Sequence, residues 1–143
     1  ETFAAISTVS MPIPRLNDDC ETGTSVPIIS FHSTTDWLIP YEGNEAFNLL
    51  APGSYLTLLS APESFDVWSD RNHCTDEPRT TYEKGSASCL TRDACDDGAE
   101  VTFCTLDGKG LFLGGHLAYG NNDRVNVMDL TWEHFKKHTR EIP

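Results

Sequence analysis

Asp36 and His116 are the residues whose chemical type and setting could together manage a proton. Asp36 closes the polar turn Ser33-Thr34-Thr35-Asp36, directly after the apolar run Val26-Pro27-Ile28-Ile29-Ser30-Phe31-His32. His116 lies in a glycine-rich loop that follows the extended stretch Glu100–Leu106. A carboxylate that orients an imidazole leaves the other ring nitrogen able to take a proton, which makes two of the three parts of a hydroxyl-activating site. The third part is missing from the sequence. No Gly-x-Ser-x-Gly occurs, and Gly23-Thr24-Ser25 and Gly85-Ser86-Ala87-Ser88 lack both the spacing and the strand-to-helix setting of a nucleophile elbow. His32, His73, His134 and His138 read as structural or solvent-exposed.

The five cysteines carry a second kind of chemistry. Cys74, Cys89, Cys95 and Cys104 crowd into one loop-rich region without the short Cys-x-x-Cys pairs of a zinc site. They read as two disulfides made in an oxidising compartment. Cys20 is then left over, which in an extracellular chain points to a partner outside the sequence. Asp93, Asp96 and Asp97 invite a Ca²⁺ reading, but an EF-hand spacing would put Cys95 at a ligand position and Cys104 where a bidentate Glu belongs. No metal and no cofactor are expected.

The formal net charge of −12, from 22 acidic and 10 basic residues, repels phosphate backbones and anionic lipid, so nucleic acid and membranes are poor partners. No apolar stretch approaches the roughly 18–20 residues of a membrane span. Glu1-Thr2-Phe3 lacks the charged start and long apolar run of a signal peptide, so the expectation is a soluble chain whose export signal has been removed or was never present.

The elements that must position these residues follow from pattern. Phe3–Val9 reads as a short buried strand ended by Pro12 and Pro14, and residues 15–25 as a loop. Val26–His32, β-branched and apolar on both faces, reads as a central strand of a parallel sheet. Asn44–Leu50 reads as a short helix or turn, and Tyr55–Leu59 as a strand. Ser60-Ala61-Pro62-Glu63 is a capping box that starts a helix running to about Asn72, with Phe65 and Trp68 on one face. Thr80–Tyr82, Ala87–Leu90 and Glu100–Leu106 are extended. A last helix runs from about Arg124 to His138, with Val125, Met128, Trp132 and Phe135 as its apolar stripe. Strands alternating with helices indicate an α/β fold, yet a two-faced central strand needs more neighbours and covering helices than this chain provides.

Several stretches, in order, resemble the feruloyl-esterase and polyhydroxybutyrate-depolymerase group of secreted α/β-hydrolases. Val26–Gly43 is similar to that group's strand followed by His-Gly-Thr-x-Asp and Val-Pro-Tyr. Val67-Trp68-Ser69-Asp70-Arg71-Asn72-His73-Cys74 looks like its Trp-x-x-x-Asn-Gly-Cys segment. Ala99–Gly108 with Gly115-His116 resembles the strand leading to its Gly-His-x-Trp-Pro-Gly loop, Trp132–His138 its closing helix, and Phe3–Ile6 the strand after its nucleophile helix.

The resemblance implies that 1–143 is the carboxy-terminal half of an α/β-hydrolase sheet, with a disulfide-stapled extended region. Asp36 would be the triad acid and His116 the base, with Trp37 and Tyr119 near the substrate. An alignment without gaps instead puts Leu111 where the family has its histidine, which describes a decayed site; a short insertion restores His116. Ala118 and Tyr119 replace the family's Trp and Pro. The serine would lie upstream of Glu1, on a companion amino-terminal chain to which Cys20 could bridge, and the substrate would be an ester. The competing expectation is a non-catalytic hydrolase-like binding or structural protein.

Overall fold

The computed structural model describes residues 3–15, 23–47, 55–107, 115–116 and 125–139, and only the backbone of 44–47 and 55–56. Its elements in chain order are strands β1 (Ile6–Val9), β2 (Ile28–Ser33), β3 (Asn44–Phe47) and β4 (Tyr55–Leu58), helix α1 (Ala61–Arg71), strands β5 (Arg79–Lys84), β6 (Ala87–Arg92) and β7 (Val101–Leu106), and helix α2 (Val127–Lys137). Five strands form one mixed sheet in the order β1-β2-β7-β6-β5, while β3 and β4 pair separately. The β1–β2 and β2–β7 pairs are parallel; β7–β6 and β6–β5 are antiparallel. The architecture is α/β, with a helix on each face of the sheet.

Apolar residues on both sides of β2 dictate this layering. Ile28, with Val101 and Phe103 of β7, faces Ala61, Phe65 and Trp68 of α1. Ile29 and Phe31, with Cys104 and Leu106, face Val125, Val127 and Leu130 at the α2 side. A strand buried on both faces has to be apolar at successive positions, and β2 meets that demand with a core of Ile28, Ile29 and Phe31. It starts at Ile28, two residues later than its apolar run, because Pro27 has no N–H to give a ladder.

Helix α1 begins as its sequence requires. The Ser60 hydroxyl accepts from the Glu63 N–H, and the Glu63 carboxylate accepts from the Ser60 N–H at 2.7 Å. Its other end is closed by Asn72, which is fully buried. The Asn72 amide accepts from the Val26 N–H at 3.0 Å and donates to the Val26 carbonyl at 2.8 Å, substituting for a strand neighbour at the entry to β2. His73 follows with a left-handed φ of 51°, the position where the resembling segment carries glycine.

Two disulfides staple the antiparallel side. Cys89 and Cys104 are direct partners across β6 and β7, and Cys74 joins Cys95 beside the end of α1. Disulfides fit an oxidising compartment. No helix among the described residues is long and apolar enough to cross a membrane. Cys20 lies outside the described residues.

Three expectations change. Asn44–Phe47 is strand β3, antiparallel to β4, rather than a helix or turn. Strand β1 is not buried: it forms a sheet edge among the described residues, Val9 is 40% exposed, and neighbouring Phe3 and Met11 are more exposed still. On α2, Met128, Trp132 and Phe135 face outward, and the buried residues are Val127 and His134. That inward histidine donates from Nδ1 to Glu100 at 3.1 Å, and this bond is the main reason the Glu100 carboxyl is pulled down to about 2. The predicted stripe was displaced by about one position, so a polar anchor took the inward place of an apolar one.

Replacing Asn72 by Ala leaves the Val26 N–H and C=O without these partners. Asn72→Ala is therefore expected to cost about 2–3 kcal/mol, measured as a lower urea midpoint at unchanged m-value.

Candidate active site

Parallel pairing brings the carboxy-terminal ends of β1, β2 and β7 to the same side of the sheet, where open α/β sheets place their ligands. Ser10 follows β1, Asp36 follows β2, and His116 belongs to the segment after β7. The ladders continue to the rim: Ser10 N–H donates to Phe31 O, and Thr34 N–H to Leu106 O. At the end of β1 the chain turns through Ser10 with a positive φ of 48°, and the hydroxyl reaches Asp36.

The Asp36 side chain is wholly buried and accepts four hydrogen bonds. Oδ1 takes the N–H groups of Leu38 and Ile39, both at 3.0 Å. Oδ2 takes the Ser10 hydroxyl at 2.6 Å and His116 Nδ1 at 2.7 Å. A carboxylate accepts and cannot donate, so the proton between the two residues sits on His116 Nδ1. His116 Nε2 is then the acceptor nitrogen, on a side chain that keeps 19% of its surface exposed. A buried carboxylate and an oriented, partly exposed imidazole form an acid–base pair able to take a proton from a hydroxyl placed against Nε2.

His32 lies close by and plays a different part. Its Nε2 is 2.9 Å from the Ile39 carbonyl and 3.7 Å from Asp36 Oδ2. The carbonyl can only accept, so Nε2 carries the proton and is committed to the Ile39 loop. Burial pushes the His32 pKa down, against the opposing pull of that carbonyl and of Asp36. His32 thus holds the loop that wraps Asp36. The same loop ends at Gly43, φ 74°, where a Cβ would come within 2.6 Å of the Ser60 backbone nitrogen, so the tie between this loop and the start of α1 demands glycine.

Of the residues expected at the site, Asp36 and His116 are in contact, and Trp37 stands beside Asp36 with 62% of its surface exposed. Tyr119, Leu111 and Ala118 lie outside the described residues. Sequence reasoning missed Ser10. Its signal was a serine directly after a strand and before Met11-Pro12, at the same end of its strand as Asp36 is of β2. Two of the acids Asp93, Asp96 and Asp97 are engaged otherwise: Arg79 pairs with Asp93, and His73 with Asp96 at 2.9 Å.

No family model matches the sequence. Over 91 residues, 64% of this chain, it is 29% identical to feruloyl esterase B of Piromyces equi. The chain spans 16% of that protein's length, so the likeness concerns a small part of an esterase.

His32 gives the site a testable pH signature. Its folded pKa lies below the unfolded value, so the unfolded chain binds the extra proton first as pH falls. Stability therefore drops from about pH 6.5 down through the folded pKa. Urea titrations between about pH 7 and 5 are expected to show a steeper loss for the wild type than for His32→Gln.

Proposed function

We propose that this chain supplies the acid and the base of a serine carboxylic ester hydrolase. The observation that carries the reading is the 2.7 Å bond from His116 Nδ1 to a fully buried Asp36. The likeness to a feruloyl esterase supports the substrate class, an ester. Aromatic acyl esters and polyesters both suit an exposed indole such as Trp37 at the rim.

In this reading Asp36 fixes the imidazole so that Nε2 faces a serine hydroxyl. The serine attacks the ester carbonyl while Nε2 takes its proton, and the tetrahedral intermediate collapses to an acyl-enzyme with release of the alcohol, which receives the proton from Nε2. Water, deprotonated in the same way, then frees the acid and restores the serine. The serine and the oxyanion-hole donors come from residues outside this sequence, on an upstream or companion segment that docks against β1. Three features support that docking side: β1 is an edge among the described residues, Ser10 joins its end to the site, and Phe3, Val9 and Met11 present apolar surface there. Cys20 would bridge to the segment, and secretion accords with the disulfides.

A second reading, a hydrolase-like binding protein with a decayed site, is favoured by Ala118 and Tyr119, which depart from the resembling loop. The two separate cleanly. Native material is treated with a serine-directed fluorophosphonate, and hydrolysis of a feruloyl or p-nitrophenyl ester is followed. Labelling of a serine in a segment paired with this chain is expected, and absence of both labelling and turnover would end the hydrolase reading. With activity in hand, Asp36→Asn should lower kcat by roughly 10⁴-fold and His116→Ala by roughly 10⁶-fold, with smaller changes in KM.

A further inference from the structure

At the opposite end of the sheet lies a cluster that the hydrolase reading does not use. Glu100 immediately precedes β7, so its position is about 20 Å, six residues of strand rise, from the rim that carries Asp36. His134 and His138 sit one helical turn apart at the end of α2, with ring centroids 4.8 Å from one another, and both turn toward Glu100. His134 Nδ1 is 3.1 Å from Glu100 Oε1, and His138 Nε2 is 3.4 Å from the same oxygen. One ligand atom from each of the three residues falls within 4.8 Å of the other two.

From these residues we infer a divalent transition-metal site, with Zn²⁺ the ion that best suits its two imidazoles and one carboxylate. The separations approach those of a tetrahedral centre, in which ligands about 2.0–2.1 Å from zinc stand about 3.3–3.4 Å apart along each edge. Two of the three edges, at 3.1 and 3.4 Å, are close to that length, and the third is no longer than 4.8 Å. The spacing His134-x-x-x-His138 puts both rings on one helix face, and Glu100 comes from a different element. Three protein ligands leave the fourth position to water.

A second observation points to a missing partner. The buried His134 reaches the site through Nδ1, while His138 offers Nε2, which has no hydrogen-bond partner among the described residues. His138 Nε2 is within ion-pair distance of Glu100 yet makes no hydrogen bond to it. A cation between them would satisfy that nitrogen by coordination, where a proton does not. Lys137 Nζ, 3.4 Å from Glu100 Oε1, competes for the carboxylate; its side chain is 63% exposed and can swing into water when a metal enters. The ion would tie the last turn of α2 to the start of β7. Two imidazoles disfavour Ca²⁺ and Mg²⁺, which prefer all-oxygen shells.

Calorimetric titration of Zn²⁺ into chelator-treated full protein, with any segment that copurifies, tests this. Binding of one ion per chain is expected, with a rise in Tm that grows with Zn²⁺ concentration and is not reproduced by Mg²⁺. Co²⁺ substitution should give the intense visible absorption of a tetrahedral site. His138→Ala and Glu100→Gln should each weaken binding by at least roughly tenfold, while Asp93→Asn, on the acidic surface, should leave it unchanged. His138 lies at the helix end, so its variant is expected to fold even where His134→Ala does not. Absence of binding, or binding that survives both His138→Ala and Glu100→Gln at full strength, would overturn the site. Neither outcome touches the hydrolase reading, which is tested at the other end of the sheet.

Discussion

A carboxylate removed from water must be surrounded by donors, and Asp36 shows how much of a fold that requirement can organise. Its four donors come from three places: the end of β1, the loop after β2, and the segment after β7. Losing any one leaves a buried charge partly unsatisfied, at a cost of about 1.5–3 kcal/mol for a charged hydrogen bond. The three places can meet because β1, β2 and β7 are adjacent and parallel, so their carboxy ends share one rim. In an antiparallel trio the middle end would point the other way, and neither Ser10 nor His116 could reach Asp36. The parallel register is therefore the precondition for the pair, and the buried charge in turn fixes the register's outer end.

The two flanks of the sheet are held by different means. On the β6–β5 side, a meander of antiparallel strands closes locally, with Cys89 bonded to Cys104 across the ladder and β5 carrying Arg79, Glu83 and Lys84 toward solvent. Charges on an outer strand discourage further pairing. Strand β1, the opposite edge among the described residues, is different: Ile6-Ser7-Thr8-Val9 holds no charge, and Phe3 and Met11 extend its apolar character. An edge of this kind ordinarily needs a cover.

Much of the fold was legible because its signals are local. The capping box at Ser60–Glu63 and the doubly apolar run of β2 need no tertiary context, and Asp36 could be located at the end of β2 from the run alone. What was not legible depended on partners distant in sequence. The apolar stripe Met128, Trp132, Phe135 has helical spacing, but the start of β7 offers Glu100 to the helix, and this half-buried carboxylate draws His134 inward. Burying an unpaired Glu100 would cost more than exposing a Trp and a Met, since a charge without donors is dearer than apolar surface left in water. Hence periodicity identified the helix and misassigned its face. Asn44–Phe47 failed differently: four residues that fit turn or strand equally well are decided by β4, whose register they complete.

These contrasts explain why the outward face of α2 matters. Met128 is 71% and Trp132 62% exposed, an uncommon arrangement for a helix whose other face is polar enough to bury a histidine. The Ser7 hydroxyl of β1 meets the Thr131 hydroxyl of α2 at 2.9 Å, so this helix lies beside the uncharged strand and its apolar residues adjoin the same flank. A strand added outside β1 would extend the sheet beneath α2, and a helix leading from it would find Trp132 and Met128 as ready neighbours. In the proposed reading, the position of the acid–base pair at that same flank gives the arrangement a chemical sense: a hydroxyl carried on an added strand end would enter the rim on the Ser10 side, where Asp36 holds the imidazole.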